Sequence, residues 1–193
     1  LYGMFYLMSY AAIRGLHEPP WRAGLRLSAI PVALGIAAPF AGAPAKRWGT
    51  ATLALLGMSL AAAALLILSL VALEATPSRT IGMIALFIFG AGLGFFMAPN
   101  NSATMGSAPP ALSGEAGAMI NLARMLGVSL GVAASASMLR WRTEVITGET
   151  NPDMLFYGHP MIGAVETSFG LLFGLALLAA IATWWRKRIA PDA

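Results

Sequence analysis

The chain has 193 residues, of which 58% are hydrophobic and only 10% charged, with a mean hydropathy of +0.74. A soluble domain carries about a quarter charged residues, so this composition excludes an ordinary soluble fold and points to an all-α, polytopic helical membrane protein. The formal net charge of +4 sits in short clusters at segment ends, which argues against nucleic acid as a partner, and the absence of cysteine removes disulfides and thiolate metal sites.

Six apolar segments, A to F, follow in chain order. Segment A, residues 1–13, would reach only about 20 Å as a helix, short of the roughly 30 Å of hydrocarbon. It reads as a truncated span, so Leu1 is expected not to be the native start and the chain to be a fragment. Its Tyr2, Tyr6 and Tyr10 recur at fourfold spacing, a stripe that either walls a polar cavity or belongs to an interfacial aromatic belt. Segment B covers residues 24–43, C 50–73, D 80–105, E 112–139 and F 164–185, joined by turn-forming stretches such as HEPPWR, GAPAKRWG, EATPSR and GSAPPA. Segments C and F are almost wholly Ala, Leu, Ile and Val, as suits helices on the lipid side. Only residues 140–163 make a long polar connection, read here as an extracytoplasmic segment that folds over the membrane face as a loop or a surface helix.

Segment D carries Gly90 and Gly94, E carries Gly127 and Gly131, and F carries Gly170 and Gly174, each pair a GxxxG. Small residues one turn apart let helix backbones approach, which in lipid replaces the missing hydrophobic drive. PPxxxG occurs twice, at Pro19-Pro20 with Gly24 and at Pro109-Pro110 with Gly114. That echo divides the chain into two helical triplets, A-B-C and D-E-F, a 3+3 inverted repeat.

Arg124 is the one charge well inside a span. Centring it in a bilayer costs at least about 2.5 kcal/mol, so it needs partners or a route to water. Asn121 lies one turn away on the same face, and Asn100 and Asn101 lie near the same hairpin. The four are expected to form a polar cluster, the alternative being that Arg124 snorkels to headgroups. Met97, with Phe95, Phe96, Met105 and Met119, suits either an adaptable apolar binding wall or core packing. None of the eight acidic residues lies within an uncharged core, so a titrating group for proton coupling is expected elsewhere in the protein. Glu115 fits the first turn of a helix after Ser113. No HExxH, GxSxG or buried acid pair is present, so the chain is not read as an enzyme, and no metal or cofactor is expected.

Lysine and arginine counts on the two sides nearly balance, and the WWRKR stretch after segment F decides the orientation. Trp184 and Trp185 would sit in an aromatic belt with Arg186, Lys187 and Arg188 beyond it. This places the carboxyl terminus in the cytoplasm of a multi-pass protein of the cell (inner) membrane.

The YLMSY run of segment A, WRAGLRLSAIP at the entry to B, GAGLGFFMAPNNSATM in D and GEAGAMINLARMLGVSLG in E resemble the second half of the major facilitator superfamily, in its fourteen-span drug:proton antiporter branch. The resemblance covers essentially the whole chain, as the family's last six spans. It implies a six-helix carboxyl-terminal bundle, with A and D lining a central cavity and C and F outermost. The family's loop signature has a degraded echo at Gly42, Ala45, Arg47 and Gly49, with Lys46 in the acidic position. The resemblance further implies a secondary active transporter working by alternating access, exporting small amphipathic molecules in exchange for protons. Its partners would be the lipid bilayer and the missing amino-terminal half. The alternative is a non-transporting membrane subunit or regulatory half that assembles with another helical protein.

Overall fold

The computed structural model describes residues 1–71, 76–148 and 159–189. Helix α1 (Tyr2–Tyr10) passes without a break into a π-helical turn over Ala11–Gly15. His17 then takes a left-handed φ of 51°, a region that histidine enters more readily than most non-glycine residues. The next residue, Glu18, precedes Pro19, and a proline ring drives its predecessor out of the helical region. The Glu18 N–H donates back to the Ala12 carbonyl at 2.9 Å and closes the corner.

Helix α2 (Pro20–Leu27) starts on a proline, whose missing N–H costs nothing in a first turn. It runs through Ser28 into α3 (Ala29–Phe40). At that joint Pro31 has no N–H to offer the Leu27 carbonyl, and the Ser28 hydroxyl donates to Leu25 O at 2.6 Å. Backbone bonds still bridge the joint, from Ser28 to Gly24 and from Val32 to Ser28. The two helices therefore act as one apolar stretch of 21 residues, Pro20–Phe40. A short helix, α4 (Gly42–Trp48), ends at Gly49, whose φ of 86° turns the chain into α5 (Thr50–Leu70). Three long helices complete the chain: α6 (Thr76–Gly106), α7 (Ser113–Thr147) and α8 (His159–Ile189), with a 3-10 turn at Pro110–Leu112 before α7. Both double prolines thus stand at the head of a helix. Five stretches among the described residues are long and apolar enough to cross a membrane, the shortest having 21 residues.

The helix ends depart from the apolar windows. The connection expected over residues 140–163 is helical at both ends, because α7 continues to Thr147 and α8 begins at His159. Residues 149–158 lie outside the described part of the chain. The physical reason is that polarity marks where a helix leaves hydrocarbon, not where it stops. Arg140 and Glu144 face each other at i,i+4 with 3.0 Å between Nε and Oε1, and the helix stops only at Gly148, left-handed at φ 71°. Segment B likewise begins earlier, at Pro20, and α4 takes up its last residues.

Helix α5 packs against α6 and α8, α3 against α6, and α7 against α8 and α1. The pairing of α1 with α7 mirrors that of α6 with α3, whereas the packing of α7 on α8 has no comparable counterpart between α3 and α5. One buried cluster joins Met4, Leu7 and Met8 of α1, Leu65 and Leu68 of α5, Leu86 and Phe89 of α6, and Phe169 of α8. Helix α5 does not stand simply on the lipid side, as its composition suggested. Half of its most apolar window is buried, against 11% for α7, and only a stripe through Leu56, Leu60, Leu66 and Leu70 faces outward. An all-apolar helix meets protein and lipid with the same side chains, so composition does not tell the two apart.

Close backbone approach concentrates on α6. A methyl group on Gly92 would lie 2.7 Å from the Gly57 carbonyl and 2.8 Å from the Ala61 nitrogen, and one on Gly57 would lie 2.5 Å from the Gly92 carbonyl. On the other side of α6, Gly90 abuts the Ile30 carbonyl of α3, and Gly94 leaves 3.0 Å to the Leu34 carbonyl. By contrast, methyl groups at Gly127, Gly131, Gly170 or Gly174 would meet nothing within 4 Å. Gly131 takes part differently, since its carbonyl lies 2.9 Å from a methyl placed on Gly3. Four of the six GxxxG positions therefore need no small side chain in this bundle. We expect Gly92→Ala to destabilise the bundle by about 1 to 3 kcal/mol through overpacking against backbone. Gly174→Ala should be neutral or slightly stabilising, by up to about 1 kcal/mol. Thermal unfolding of both variants in lipid nanodiscs checks the contrast.

Candidate functional site

Helix α7 carries Arg124 on a segment that is exposed almost all round, because α7 leans on α1 and α8 and barely touches α6. The Pro109-Pro110 connection lets α6 and α7 diverge. Arg124 opens onto a cavity of about 490 Å³ bounded by α1, α5, α6, α7 and α8. Its walls are apolar, with Met58, Leu65, Phe89, Leu93 and Phe96 prominent, and Arg124 is the single charged side chain among the described residues that line it. No acidic residue lines the cavity among the described residues. Arg124 has no hydrogen-bond or ion-pair partner among the described residues.

The structure gathers some of the expected residues here and disperses others. Tyr2 and Met97 line the cavity with Arg124, and so do Gly127 and Gly131. Gly127 and Gly131 thus open space at the wall, where side chains would intrude. The tyrosine stripe is split: the Tyr6 and Tyr10 rings meet at a tilt of 42° with centroids 4.9 Å apart and pack against the core cluster, outside the cavity lining. The expected cluster of Asn100, Asn101, Asn121 and Arg124 does not form. Asn121 is exposed and neither Asn100 nor Asn101 reaches the cavity. The main-chain carbonyl of Asn100 accepts the Thr104 hydroxyl at 2.9 Å within α6. The cause is the divergence of α6 from α7, since residues near one hairpin share a site only if its two helices stay together. Glu115 lies in the first turn of α7 as expected, although Ser113 is already helical and makes no side-chain cap.

One pair of residues was not legible as a pair. Glu18 Oε1 accepts a hydrogen bond from Arg26 Nη2 at 2.7 Å, with the two side chains only 10% and 15% exposed. The other carboxylate oxygen, Oε2, is buried without a partner. The sequence places Glu18 in a loop; the left-handed turn at His17 and the first two turns of α2 bring the two charges together. The available signal was an acid and a base flanking a double proline, which is weak. Removing one member of a buried pair leaves the other charge uncompensated, at a cost of about 3 to 5 kcal/mol. Arg26→Met alone should therefore destabilise by that order. Arg26→Met combined with Glu18→Gln should recover most of the loss, as chemical unfolding of the single and double variants would register.

Comparison with known proteins adds an independent line. The sequence profile described as Major Facilitator Superfamily matches residues 1–132. The uncharacterized transporter YebQ of Escherichia coli (strain K12) is 40% identical over 116 residues, which are 60% of this chain and 25% of that protein. The riboflavin transporter RibZ of Clostridioides difficile (strain 630) is 32% identical over 123 residues, 61% of this chain and 25% of that protein. The drug efflux pump JefA of Mycobacterium tuberculosis (strain ATCC 25618 / H37Rv) is 32% identical over 114 residues, 59% of this chain and 22% of that protein. The chain thus spans about a quarter of the length of the curated relatives that it matches.

Proposed function

This chain belongs to the Major Facilitator Superfamily, and we propose that it forms part of a secondary active transporter that exports amphipathic small molecules by alternating access, coupled to protons. The observation that carries this reading is the apolar cavity of about 490 Å³ with the unpartnered Arg124 in its wall. The volume falls within the roughly 300 to 1,000 Å³ of small-molecule sites. Its apolar lining would hold the body of an amphipathic molecule at about 25 cal/mol per Å² removed from water, while Arg124 supplies the one strong donor that fixes a polar end. Relatives described as a riboflavin transporter and as a drug efflux pump support the class of cargo. The exposed face of α7 is the surface we assign to the opposing amino-terminal bundle. Among the described residues no acid lines the cavity, so the proton-carrying group is assigned to that bundle as well.

The test is dye efflux from cells or proteoliposomes bearing the whole transporter under an imposed proton gradient. Arg124→Ala should lower the rate per molecule about tenfold, the equivalent of one charge-assisted hydrogen bond of about 1.5 kcal/mol, at unchanged abundance in the membrane. Equal rates per molecule would remove Arg124 from the mechanism. Absence of any flux from the wild type would favour the second reading, a non-transporting membrane half that assembles through the same face of α7.

The basic end of α8, where the Arg188 guanidinium stacks 4.0 Å from the Trp184 ring centre, supports an orientation. We assign this end to the cytoplasmic face of the inner membrane. A green fluorescent protein fused after Ala193 should then fluoresce and an alkaline phosphatase fused there should be inactive; the opposite pattern would invert the topology.

A further inference from the structure

The five helices that bound the Arg124 cavity hold few acidic residues, and those few stand away from it. Helices α1, α5 and α6 have none. Helix α7 has Glu115 and Glu144, and α8 has Glu166; none of the three lines the cavity. Glu115 stands nine residues before Arg124, about 13 Å along the helix axis at about 1.5 Å of rise per residue. Glu166 stands six residues before Leu172, where α8 enters the wall. Arg124 itself is exposed, on the face of α7 assigned to the opposing bundle, and meets no carboxylate among the described residues.

That distribution decides the sign of a charge the cavity would accept. A space of about 490 Å³ is about 10 Å across if round, no more than the Debye length at about 0.1 M salt. A cation seated anywhere in it would lie within reach of the guanidinium, with no carboxylate in the wall to neutralise either charge. An anion would instead meet five N–H donors in a planar fork, which take a carboxylate or sulfonate two bonds at a time. The rest of the wall suits an aromatic body. Tyr2, Phe89 and Phe96 present rings, and Met58 and Met97 present thioethers; rings pair with rings, and thioether sulfur settles at ring edges. Aromatic faces attract cations too, but the one full charge on the wall is positive.

We propose that this cavity selects anionic cargo, an aromatic amphipath bearing a carboxylate or sulfonate, with Arg124 as the residue that sets the preference. The inference rests on the cavity being the cargo site and names the class of molecule it takes. Two fluorescent probes share one aromatic body and carry opposite permanent charges: pyrenesulfonate and trimethyl(pyrenylmethyl)ammonium. Their binding to the purified whole transporter is read by fluorescence polarisation, and their flux is read in proteoliposomes under an imposed proton gradient. The sulfonate should bind about tenfold more tightly than the ammonium, the order of one charge-assisted hydrogen bond. Arg124→Gln should remove most of that difference, and Arg124→Lys should keep the preference for the anion. Arg140→Gln, on the same helix outside the cavity, should leave both affinities unchanged.

Binding decides the charge preference and flux decides transport, so the two readings fail separately. Preferred binding of the sulfonate with no flux of either probe would support the anion seat and remove the transport reading. Flux with the ammonium bound as tightly as the sulfonate, or more so, would keep transport and overturn the anion preference. So would a lack of saturable sulfonate binding, or equal weakening by Arg124→Gln and Arg140→Gln, the mark of diffuse attraction to a basic protein. The unfolding temperature of each variant without probe separates lost binding from lost folding.

Discussion

Helix α6 is gripped at backbone distance from two sides, by α3 against Gly90 and Gly94 and by α5 against Gly92. In a bilayer this contact carries weight that a hydrophobic core would carry in water. Lipid tails are as apolar as leucine, so helices gain little by hiding leucine from them and must gain by approach and dense packing instead. The three glycines alternate between faces, two toward α3 and one toward α5, and so let one helix serve two neighbours. Helix α5 then reaches α8, α8 reaches α7, and α7 reaches α1. The whole bundle hangs from the α3–α6–α5 sandwich.

This arrangement explains which parts of the fold were legible in the amino-acid sequence. Long apolar windows announce spans because a helix must satisfy its own backbone in lipid, and a described helix lies in each of the windows from 24–43 onward. The ends were harder, as α7 shows by carrying Arg140, Arg142 and Glu144 within the helix. A GxxxG pair signals that backbones are free to approach, but it does not say that a partner is there. Gly90 and Gly94 have one in α3, whereas Gly170 and Gly174 face open space. The Gly57 to Gly92 contact belongs to neither spacing, because it joins two different helices.

The polar residues divide in the same way. Arg124 stands out in sequence as a charge inside a span, and its place on a cavity wall beside Met97 follows from one helix facing another. Its grouping with the asparagines was drawn from proximity along the chain. That fails because Pro109-Pro110 separates the two helices concerned. Glu18 and Arg26 are the reverse case, apart in the periodic pattern and adjacent in space. In both cases the deciding geometry lies in a proline-rich corner, where local backbone preference overrides helical spacing.

Helix α7 has 35 residues, about 52 Å at 1.5 Å per residue, against a hydrocarbon thickness of about 30 Å. It is also the least buried of the five spans. Such a helix behaves as a lever. A tilt of about 10° about one end displaces the other by about 9 Å at that length, so a small rotation deep in the bundle becomes a displacement of molecular size beyond the bilayer surface. A label or antibody fragment fixed near Thr147 would ride on that arm and turn angular change into a distance large enough to measure.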